Sequence, residues 1–508
     1  MSRTKNAIIN TVFGLFLKIY QTLLPFVMRT VMIHTLGIEY LGLNSLFASV
    51  LQTLNIAELG ISGAITFSMY EPIARRDTQK VCRLLRLYRI LYGLIGLTIL
   101  LLGAALLPFL PKLISGEVPA DVDIYILYLM YLISTALSYS MLSYRSSILE
   151  AHQRNRVISK INIATTTVQF VLQIAFLLIF RNYYLFILTQ FVLQLCNQIA
   201  VYWCSRRLYP QIKPEGRLEK QIVGDIFRKV RDLFTAKIGA IILHSSDTIV
   251  ISMFLGLSVL AVYQNYFFII TAIAGFVSTM LLGSMAGIGN SIVTETREKN
   301  YQDFRRFTFI LSWVVCVCTN CFLVLFQPFM KLWMGADKML DMAMVVMFCV
   351  YFVLYEYSQL FNLYKDAAGL WHEDRFRPLI TSLANLALNL FLVRYIGLYG
   401  IIISTVVSQL LIGMPWLLRN LFGTLFRMGM PVYLREIAGY AALILISCVI
   451  SHVCTGYMNM DGIAGLIVYG VTAVCVPCGL YILVFRRSAY FEDTMNILKR
   501  LVKKGAQP

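Results

Sequence analysis

Residues 18–60 read KIYQTLLPFVMRTVMIHTLGIEYLGLNSLFASVLQTLNIAELG, a stretch apolar enough for two membrane spans that nevertheless carries charged side chains within them. Because a helix rotates by about 100° per residue, Lys18, Gln21, Pro25 and Arg29 fall on one narrow face of the first helix. A charged side chain at membrane depth costs roughly 2.5–3.5 kcal/mol unless it is paired or hydrated. We therefore predict that this face points into the protein and lines a water-filled cavity, which would be the functional site.

The composition is that of a membrane protein. Of the 508 residues, 58% are hydrophobic and 14% are charged, and the mean hydropathy is +0.72, whereas soluble proteins average about 25% charged residues. Apolar runs of more than about 18 residues recur without the alternation typical of strands, which predicts an all-α polytopic membrane protein and argues against a β-barrel. About 14 transmembrane helices are predicted, near residues 7–35, 40–69, 84–111, 122–150, 157–180, 183–206, 232–256, 258–292, 304–334, 340–366, 378–395, 397–420, 435–457 and 462–485.

The net charge of +18 reflects the placement of basic residues and not a nucleic-acid-binding surface. Most of the 44 Lys and Arg residues fall in the tails and loops on one side of the predicted spans. The loops and adjoining helix ends on the other side hold only Lys112, Arg181, Lys331, Lys338 and Arg394. Since Lys and Arg collect on the cytoplasmic side, we predict that both termini are cytoplasmic. The first apolar segment lacks an obvious small-residue cleavage site, so we interpret it as a helix and not as a signal peptide.

An internal repeat occurs at an offset near 219 residues. The segment LGIEYL at residues 36–41 aligns with LGLSVL at residues 255–260, and Lys18 aligns with Lys237. Matches that keep one offset along much of the chain indicate two halves of six helices that enter the membrane in the same direction, in a parallel repeat. The predicted domains are an N-terminal lobe of helices 1–6 at 1–207, a basic cytoplasmic linker at 208–231, a C-terminal lobe of helices 7–12 at 232–424, and helices 13–14 with a basic cytoplasmic tail at 425–508.

The candidate substrate-binding residues are cations and amides predicted to face the cavity. Lys18 and Arg29 on helix 1, together with Lys237 on helix 7, would attract an anion that moves along the cavity. Gln264 and Asn265 lie near the outer end of helix 8 and would contact a sugar. The site predicted is therefore cationic with a polar patch, and it contains no metal ligands.

Three acidic residues within predicted spans are candidates for ion coupling or for ion pairs. Asp247 on helix 7 and Glu356 on helix 10 lie near the bilayer centre, where a carboxyl group either takes up a proton or pairs with a polar group of another helix. Glu58 lies at a depth similar to that of Lys18, and an ion pair between these two is the alternative to a cavity role for Lys18. The alternative for Arg29 is an extension to the outer headgroups.

The sequence contains no motif that indicates catalysis. The patterns GxxxxGK[ST], HExxH and GxSxG are absent, and the predicted outer loops are too short for the active site of a membrane polymerase. The 11 Cys and five His residues show no spacing typical of a metal site. We therefore predict a protein that is not an enzyme and that needs no cofactor.

Similar motif residues occur near the start of each half. They are Arg29-x6-Leu36-Gly37-x4-Gly42, Leu54-x4-Leu59-Gly60 and Tyr70 in the first half, and Asp247-x-Ile249-Val250-x4-Leu255-Gly256 and Tyr263 in the second. Together with the spans and the repeat, these patterns resemble bacterial flippases for polysaccharide repeat units, which belong to the multidrug/oligosaccharidyl-lipid/polysaccharide exporter superfamily. The resemblance covers essentially the whole chain.

The resemblance implies a V-shaped pair of six-helix lobes, with helices 1, 2, 7 and 8 lining a central cavity. It implies, as substrate, an oligosaccharide linked to undecaprenyl pyrophosphate that is moved from the inner to the outer leaflet of the bacterial plasma membrane by alternating access. Partners would be this lipid-linked oligosaccharide, membrane lipids and other proteins of polysaccharide assembly, without nucleic acid. The alternatives are a flippase for a peptidoglycan lipid precursor, a multidrug exporter of the same superfamily, and a membrane polysaccharide polymerase or ligase.

Overall fold

The structure is a computed structural model that describes residues 3–58, 60–116, 118–139, 142–458 and 460–496. The side chains of residues 3–18, 56, 57, 229, 231–237, 240, 244 and 286 also lie outside this description. Within these limits the chain forms helices and no strand. The helices are α1 (Arg3–Thr35), α2 (Ile38–Leu54), α3 (Ile61–Ala74), α4 (Thr78–Leu106), α5 (Ile124–Ser138), α6 (Ser146–Ala151), α7 (Asn155–Phe180), α8 (Tyr183–Leu208), α9 (Lys220–Leu255), α10 (Leu257–Gly283), α11 (Met285–Thr294), α12 (Arg297–Met334), α13 (Met342–Ala367), α14 (Trp371–Asp374), α15 (Arg377–Ile396), α16 (Leu398–Ser408), α17 (Met414–Asn420), α18 (Pro431–Met458) and α19 (Gly462–Phe485).

Short segments of other helical geometry connect several of these helices. They are the 3₁₀ segments Asn55–Glu58, Leu107–Leu113, Ser143–Arg145 and Ala336–Lys338, and the π-helical segments Gln409–Gly413 and Leu421–Phe426. The π-helical segments continue α16 and α17 into one span, Leu398–Phe426.

The predicted fold class is confirmed: the chain is an all-α, multi-pass membrane protein. In the part of the chain that the structure describes, ten helical stretches are long and apolar enough to cross a membrane. The helix pair Ile124–Ser138 and Ser143–Ala151 meets the same criterion only when taken together, with a bend of 41° between its two parts. The predicted spans near 7–35, 40–69 and 232–256 coincide with α1, with α2 and α3, and with α9. The total of 14 spans stays a prediction, because these three do not meet the same criterion of length and apolarity over the described residues.

The helices pack into two compact units. The first unit comprises Leu23–Gln264 and Pro378–Ile401, and the second comprises Met1–Thr22, Asn265–Arg377 and Ile402–Pro508. In the first unit α9 packs against α2 and α3. These units follow packing, whereas the predicted lobes follow the order of the repeat along the chain, so the predicted lobe boundaries stay a prediction.

The turn that ends α1 recurs at the end of α9, where the sequence repeat places its equivalent. Gly37 and Gly256 have φ values of 124° and 90°, in the region that favours glycine because it has no Cβ. Two residues later in each copy are Glu39 and Ser258, which the repeat aligns, and Ser258 Oγ donates a hydrogen bond of 2.9 Å to Glu39 Oε1. Contact between equivalent residues is what a two-fold axis between two copies produces. The hydrogen bond thus joins two residues that the repeat aligns, and the repeat itself stays a prediction.

The second unit has an aromatic core around α12. Phe304 of α12 is fully buried, and its ring centroid lies 4.8 Å from that of Tyr364, 4.9 Å from that of Tyr433 and 5.0 Å from that of Phe426. These rings come from α13, from α18 and from the π-helical end of the preceding span. Tilted and edge-to-face aromatic pairs of this kind stabilise packing beyond the area that they bury.

Candidate functional site

A cavity of about 400 Å³ lies within the first unit, a volume typical of sites for small ligands. Its wall is formed by α1, α2, α5, α7 and α8 and by the residue that follows α2. The lining residues are Pro25, Met28, Arg29, Met32, Leu41, Asn44, Ala48, Leu51, Gln52, Asn55, Tyr131, Thr135, Gln169, Phe170, Gln173, Phe186 and Gln190. The cavity therefore combines an apolar surface with a dense set of polar groups.

The face of α1 that the sequence singled out forms part of this wall. Pro25, Met28, Arg29 and Met32 line the cavity at the spacing of one helix face. Arg29 is the only charged residue among the described side chains of the lining. Arg29 thus supplies the guanidinium group of the described lining, and its role in binding substrate stays a prediction.

Helix caps and a helix break position the polar groups around Arg29. The Asp123 side chain accepts hydrogen bonds from the backbone N–H groups of the first turn of α5 and so fixes the helix that carries Tyr131 and Thr135. After α2 the chain turns through a 3₁₀ segment, and this break brings Asn55 to the wall. Gly60, with a φ of 88°, then starts α3 in a new direction.

Amide side chains dominate the polar part of the wall, and several hold one another in place. Tyr131 donates a short hydrogen bond to Asn44 Oδ1. Gln169 Nε2 donates to Gln173 Oε1 at 3.4 Å, and Gln173 Nε2 donates to the Phe186 carbonyl oxygen at 3.1 Å. An amide carries two N–H donors and one oxygen acceptor without net charge. This wall can therefore meet hydroxyl groups, which also donate and accept.

The amides continue along α7 beyond the cavity. Asn162, Thr165, Gln169 and Gln173 follow one another at helical spacing, a length of roughly 16 Å at 1.5 Å per residue. Asn197 of α8 donates hydrogen bonds of 2.9 Å to Asn162 Oδ1 and 2.7 Å to Thr165 Oγ1. This polar stripe is not among the residues predicted from the sequence, where the amides chosen as sugar contacts were Gln264 and Asn265 of α10. The spacing of three and four residues within an apolar run was the signal that could have found it.

Two of the remaining predicted substrate residues, Gln264 and Asn265, do not line this cavity. The side chains of Lys18 and Lys237 lie outside the described residues, so their predicted positions are not tested. Gln264 donates from Nε2 to Thr248 Oγ1 at 2.9 Å. Asn265 is fully buried and donates from Nδ2 to Met334 Sδ at 2.9 Å. In this conformation, therefore, Asn265 lies within packing, and contact of Gln264 and Asn265 with a sugar stays a prediction.

The three acidic candidates have different surroundings. Asp247 Oδ1 accepts a 2.6 Å hydrogen bond from Asn389 Nδ2, which also lies 3.2 Å from Asn385 Oδ1. Glu58 is half-buried, and Tyr92 OH lies 3.4 Å from its Oε1. Glu356, in the second unit, is fully buried, and neither of its carboxylate oxygens has a hydrogen-bond partner among the described residues. Ion pairing of Lys18 with Glu58 is not tested, because the Lys18 side chain is not described.

The family follows from a comparison with protein-family models. The model for polysaccharide biosynthesis proteins matches residues 5–285, which is more than half of the chain. The chain belongs to this family. The matched part includes every residue that lines the cavity. A search of the curated proteins gave no match.

Solved structures with the same fold are transporters of the superfamily expected from the motifs. The lipid II flippase MurJ in an inward closed conformation gives a TM-score of 0.67 at 14% identity, over 94% of this chain and 99% of that chain. An inward-facing multidrug resistance transporter of the MATE family gives 0.62 at 15% identity, over 79% and 93%. A transporter of the same superfamily from Pyrococcus furiosus, for which a reverse polarity of the binding pocket suggests a different function, gives 0.52 at 15% identity, over 82% and 95%. At these identities the likeness establishes the fold.

Proposed function

We propose that this protein is a flippase that moves an oligosaccharide linked to undecaprenyl pyrophosphate from the inner to the outer leaflet of the bacterial plasma membrane. The observation that carries the proposal is the cavity, whose described lining combines one cation, Arg29, with amides and hydroxyls. A guanidinium group pairs with phosphate oxygens through two parallel hydrogen bonds, and amides match sugar hydroxyls. The family of polysaccharide biosynthesis proteins and the transporter fold both support this function.

In this proposal the diphosphate and the sugars cross in the hydrated interior while the lipid tail stays in the bilayer. Lys18 and Lys237 extend the cationic path, and Gln264 and Asn265 contact the sugar in a conformation that exposes them. The two predicted six-helix lobes alternate access to the site by rocking. Both termini are cytoplasmic, and other proteins of polysaccharide assembly supply and consume the substrate.

The test compares Arg29 variants with a matched arginine outside the cavity. Charge-assisted hydrogen bonds contribute about 1.5–3 kcal/mol, so Arg29→Ala should weaken binding of a polyprenyl diphosphate by roughly 10- to 100-fold. Arg29→Lys keeps the charge but loses the paired geometry and should show a smaller loss. The control is Arg75→Ala, because Arg75 is exposed and pairs with Glu71 on the surface of α3. Binding to the purified protein and transfer between leaflets of proteoliposomes are the measurements, and native values in Arg29→Ala would refute the proposal.

We further propose that Asp247 takes part in coupling transport to a proton or sodium gradient. Asp247, Asn385 and Asn389 gather oxygen atoms of α9 and α15 in the first unit, and both asparagines are fully buried. Asn389 Oδ1 is buried without a hydrogen-bond partner among the described residues, so a proton donor or a cation would satisfy it. Glu356 remains a second candidate, with the carboxyl sealed in packing.

The coupling role predicts a specific kinetic defect. Asp247→Asn should keep diphosphate binding at the native level and abolish the acceleration of transport by an imposed proton or sodium gradient. Asp225→Asn, on the exposed start of α9, is the control. A gradient response that survives in Asp247→Asn would exclude this residue from coupling and leave Glu356→Gln as the next variant to measure.

A further inference from the structure

The described lining of the cavity separates charge from hydrogen bonding. Its charge is confined to Arg29, and its other polar groups are the neutral side chains of α2, α5, α7 and α8 and of Asn55, which follows α2. If the proposed function holds, Arg29 binds the anionic diphosphate, and the neutral groups then face whatever is attached to it. The chemistry of this neutral wall indicates which kind of sugar fits.

Two amides of α7 are fixed in orientation by their contacts. Gln173 is almost completely buried, and its amide N–H donates to the Phe186 carbonyl oxygen, which points Gln173 Oε1 toward Gln169. Gln169 donates one N–H to that oxygen at 3.4 Å. Among the described contacts, this leaves the second N–H and Oε1 of Gln169 for a ligand. A sugar hydroxyl, which both donates and accepts, can use both groups.

The side-chain oxygen of Asn55 needs a hydrogen-bond donor from the ligand. Its Oδ1 lies in the cavity wall, is buried, and has no hydrogen-bond partner among the described residues. A buried acceptor without a partner is destabilising until a donor reaches it. A hydroxyl group supplies such a donor, whereas ionised carboxylate and phosphate groups only accept hydrogen bonds.

A sugar that bears a carboxylate should bind weakly to this wall. Its carboxylate would lose hydration on entering the cavity and would find no second cation among the described lining residues, since Arg29 is engaged by the diphosphate. It would also place acceptor oxygens against the oxygens of Asn55 and Gln169. A cationic sugar would likewise find no carboxylate, because no Asp or Glu belongs to the described lining.

We propose that the amide wall selects an uncharged, hydroxyl-rich sugar next to the diphosphate and rejects a sugar that bears a carboxylate. This inference rests on the proposed function and adds the class of the first sugar. Gln169 and Asn55 would form hydrogen bonds with the sugar, and Gln173 positions Gln169.

The experiment measures binding of three probes to the purified full-length protein in nanodiscs. The probes are a short-chain polyprenyl diphosphate, the same lipid carrying a neutral hexose, and the same lipid carrying a hexuronic acid. We expect the hexose probe to bind about 10-fold or more tightly than the hexuronic acid probe. Equal or tighter binding of the hexuronic acid probe by the native protein would overturn the inference. Because this comparison uses no variant, it does not depend on whether a substitution folds.

Variants separate the sugar from the diphosphate. Gln169→Ala should weaken binding of the hexose probe by about 3- to 10-fold and leave binding of the bare diphosphate probe unchanged. Arg29→Ala should weaken binding of all three probes. Gln169→Lys should raise binding of the hexuronic acid probe relative to the hexose probe, a gain that a merely structural role would not produce. If the bare diphosphate probe binds through Arg29 but the two sugars are not distinguished, the inference fails and the proposed function stands. If the bare diphosphate probe does not bind, or binds without dependence on Arg29, both fail.

Discussion

The two units of the protein treat charge within the membrane in opposite ways. In the first unit, Arg29 lies in the wall of a cavity among amides and hydroxyls. In the second unit, Glu356 is fully buried and its carboxylate oxygens have no hydrogen-bond partner among the described residues. In the sequence, both residues are charged side chains within apolar helices. The comparison teaches that such a charge can mark either a site for ligand or a carboxyl held within packing, and substitutions can tell the two apart.

The largest difference in stability is expected between two Phe→Ala substitutions, one in each unit. Phe304→Ala removes the ring that touches aromatic side chains of three neighbouring segments and should lower the free energy of unfolding by about 3–5 kcal/mol. Phe170→Ala, in the cavity wall of the first unit, should cost less than about 1.5 kcal/mol because one side of that ring faces the cavity. The midpoint of unfolding in a sodium dodecyl sulfate titration measures both. Equal losses would mean that Phe170 is packed as tightly as Phe304 and that the cavity is closed.

A glycine at a close contact should respond differently from a glycine with space around it. A Cβ at Gly42 would lie 2.4 Å from the carbonyl oxygen of Leu257, so Gly42→Ala should cost about 1–3 kcal/mol by overpacking. At Gly439 on α18 no heavy atom lies within 4 Å of such a Cβ, and Gly439→Ala should be neutral or stabilising by up to about 1 kcal/mol.

The contact at Gly42 joins α2 to the start of α10, and substitution of Gly42 has a second readout. If transport requires this contact to form and break, Gly42→Ala should slow transfer between leaflets, while Gly439→Ala should not. A Gly42→Ala protein with native stability and native transport would show that the backbone contact is not needed in any step.

The buried carboxyl group of Glu356 in the second unit should lower the free energy of unfolding. Glu356→Leu replaces a polar group that has no hydrogen-bond partner among the described residues with an apolar side chain and should raise the free energy of unfolding by about 1–2 kcal/mol. Arg29→Leu should change stability by less than about 1 kcal/mol, because Arg29 lines a cavity and is only half-buried. The same detergent titration measures both. Destabilisation by Glu356→Leu would show that the carboxyl has a partner in the membrane and would place it with Arg29 as a functional charge.

Much of the fold could be predicted from the sequence because apolar length and helical period are local properties. The membrane class, the face of α1 that carries Pro25 and Arg29, and the repeated Leu-Gly turn all follow from spacing alone. Contacts between residues that are distant in the sequence do not follow from spacing, because a periodic pattern identifies a helix face but not the residues that pack against it. Asp247 was predicted as an acid near the bilayer centre, yet its contact with Asn389 joins residues 142 positions apart. For the same reason the spacing did not show that Asn265 packs against Met334 in this conformation, and its contact with a sugar stays a prediction.

The smallest expected difference concerns one hydrogen bond in each unit. Ser258 is exposed, and loss of its bond to Glu39 in Ser258→Ala should cost no more than about 0.5 kcal/mol, since water replaces the lost partner. Thr308 in the second unit is almost completely buried, and its hydroxyl lies 3.0 Å from that of Tyr433. Thr308→Val keeps the volume but leaves the Tyr433 hydroxyl without this partner, so it should cost about 1–2 kcal/mol. If Ser258→Ala proves the costlier of the two in the detergent titration, the bond between the repeated turns is protected from water, and the exposure that separates the two sites would have to be revised.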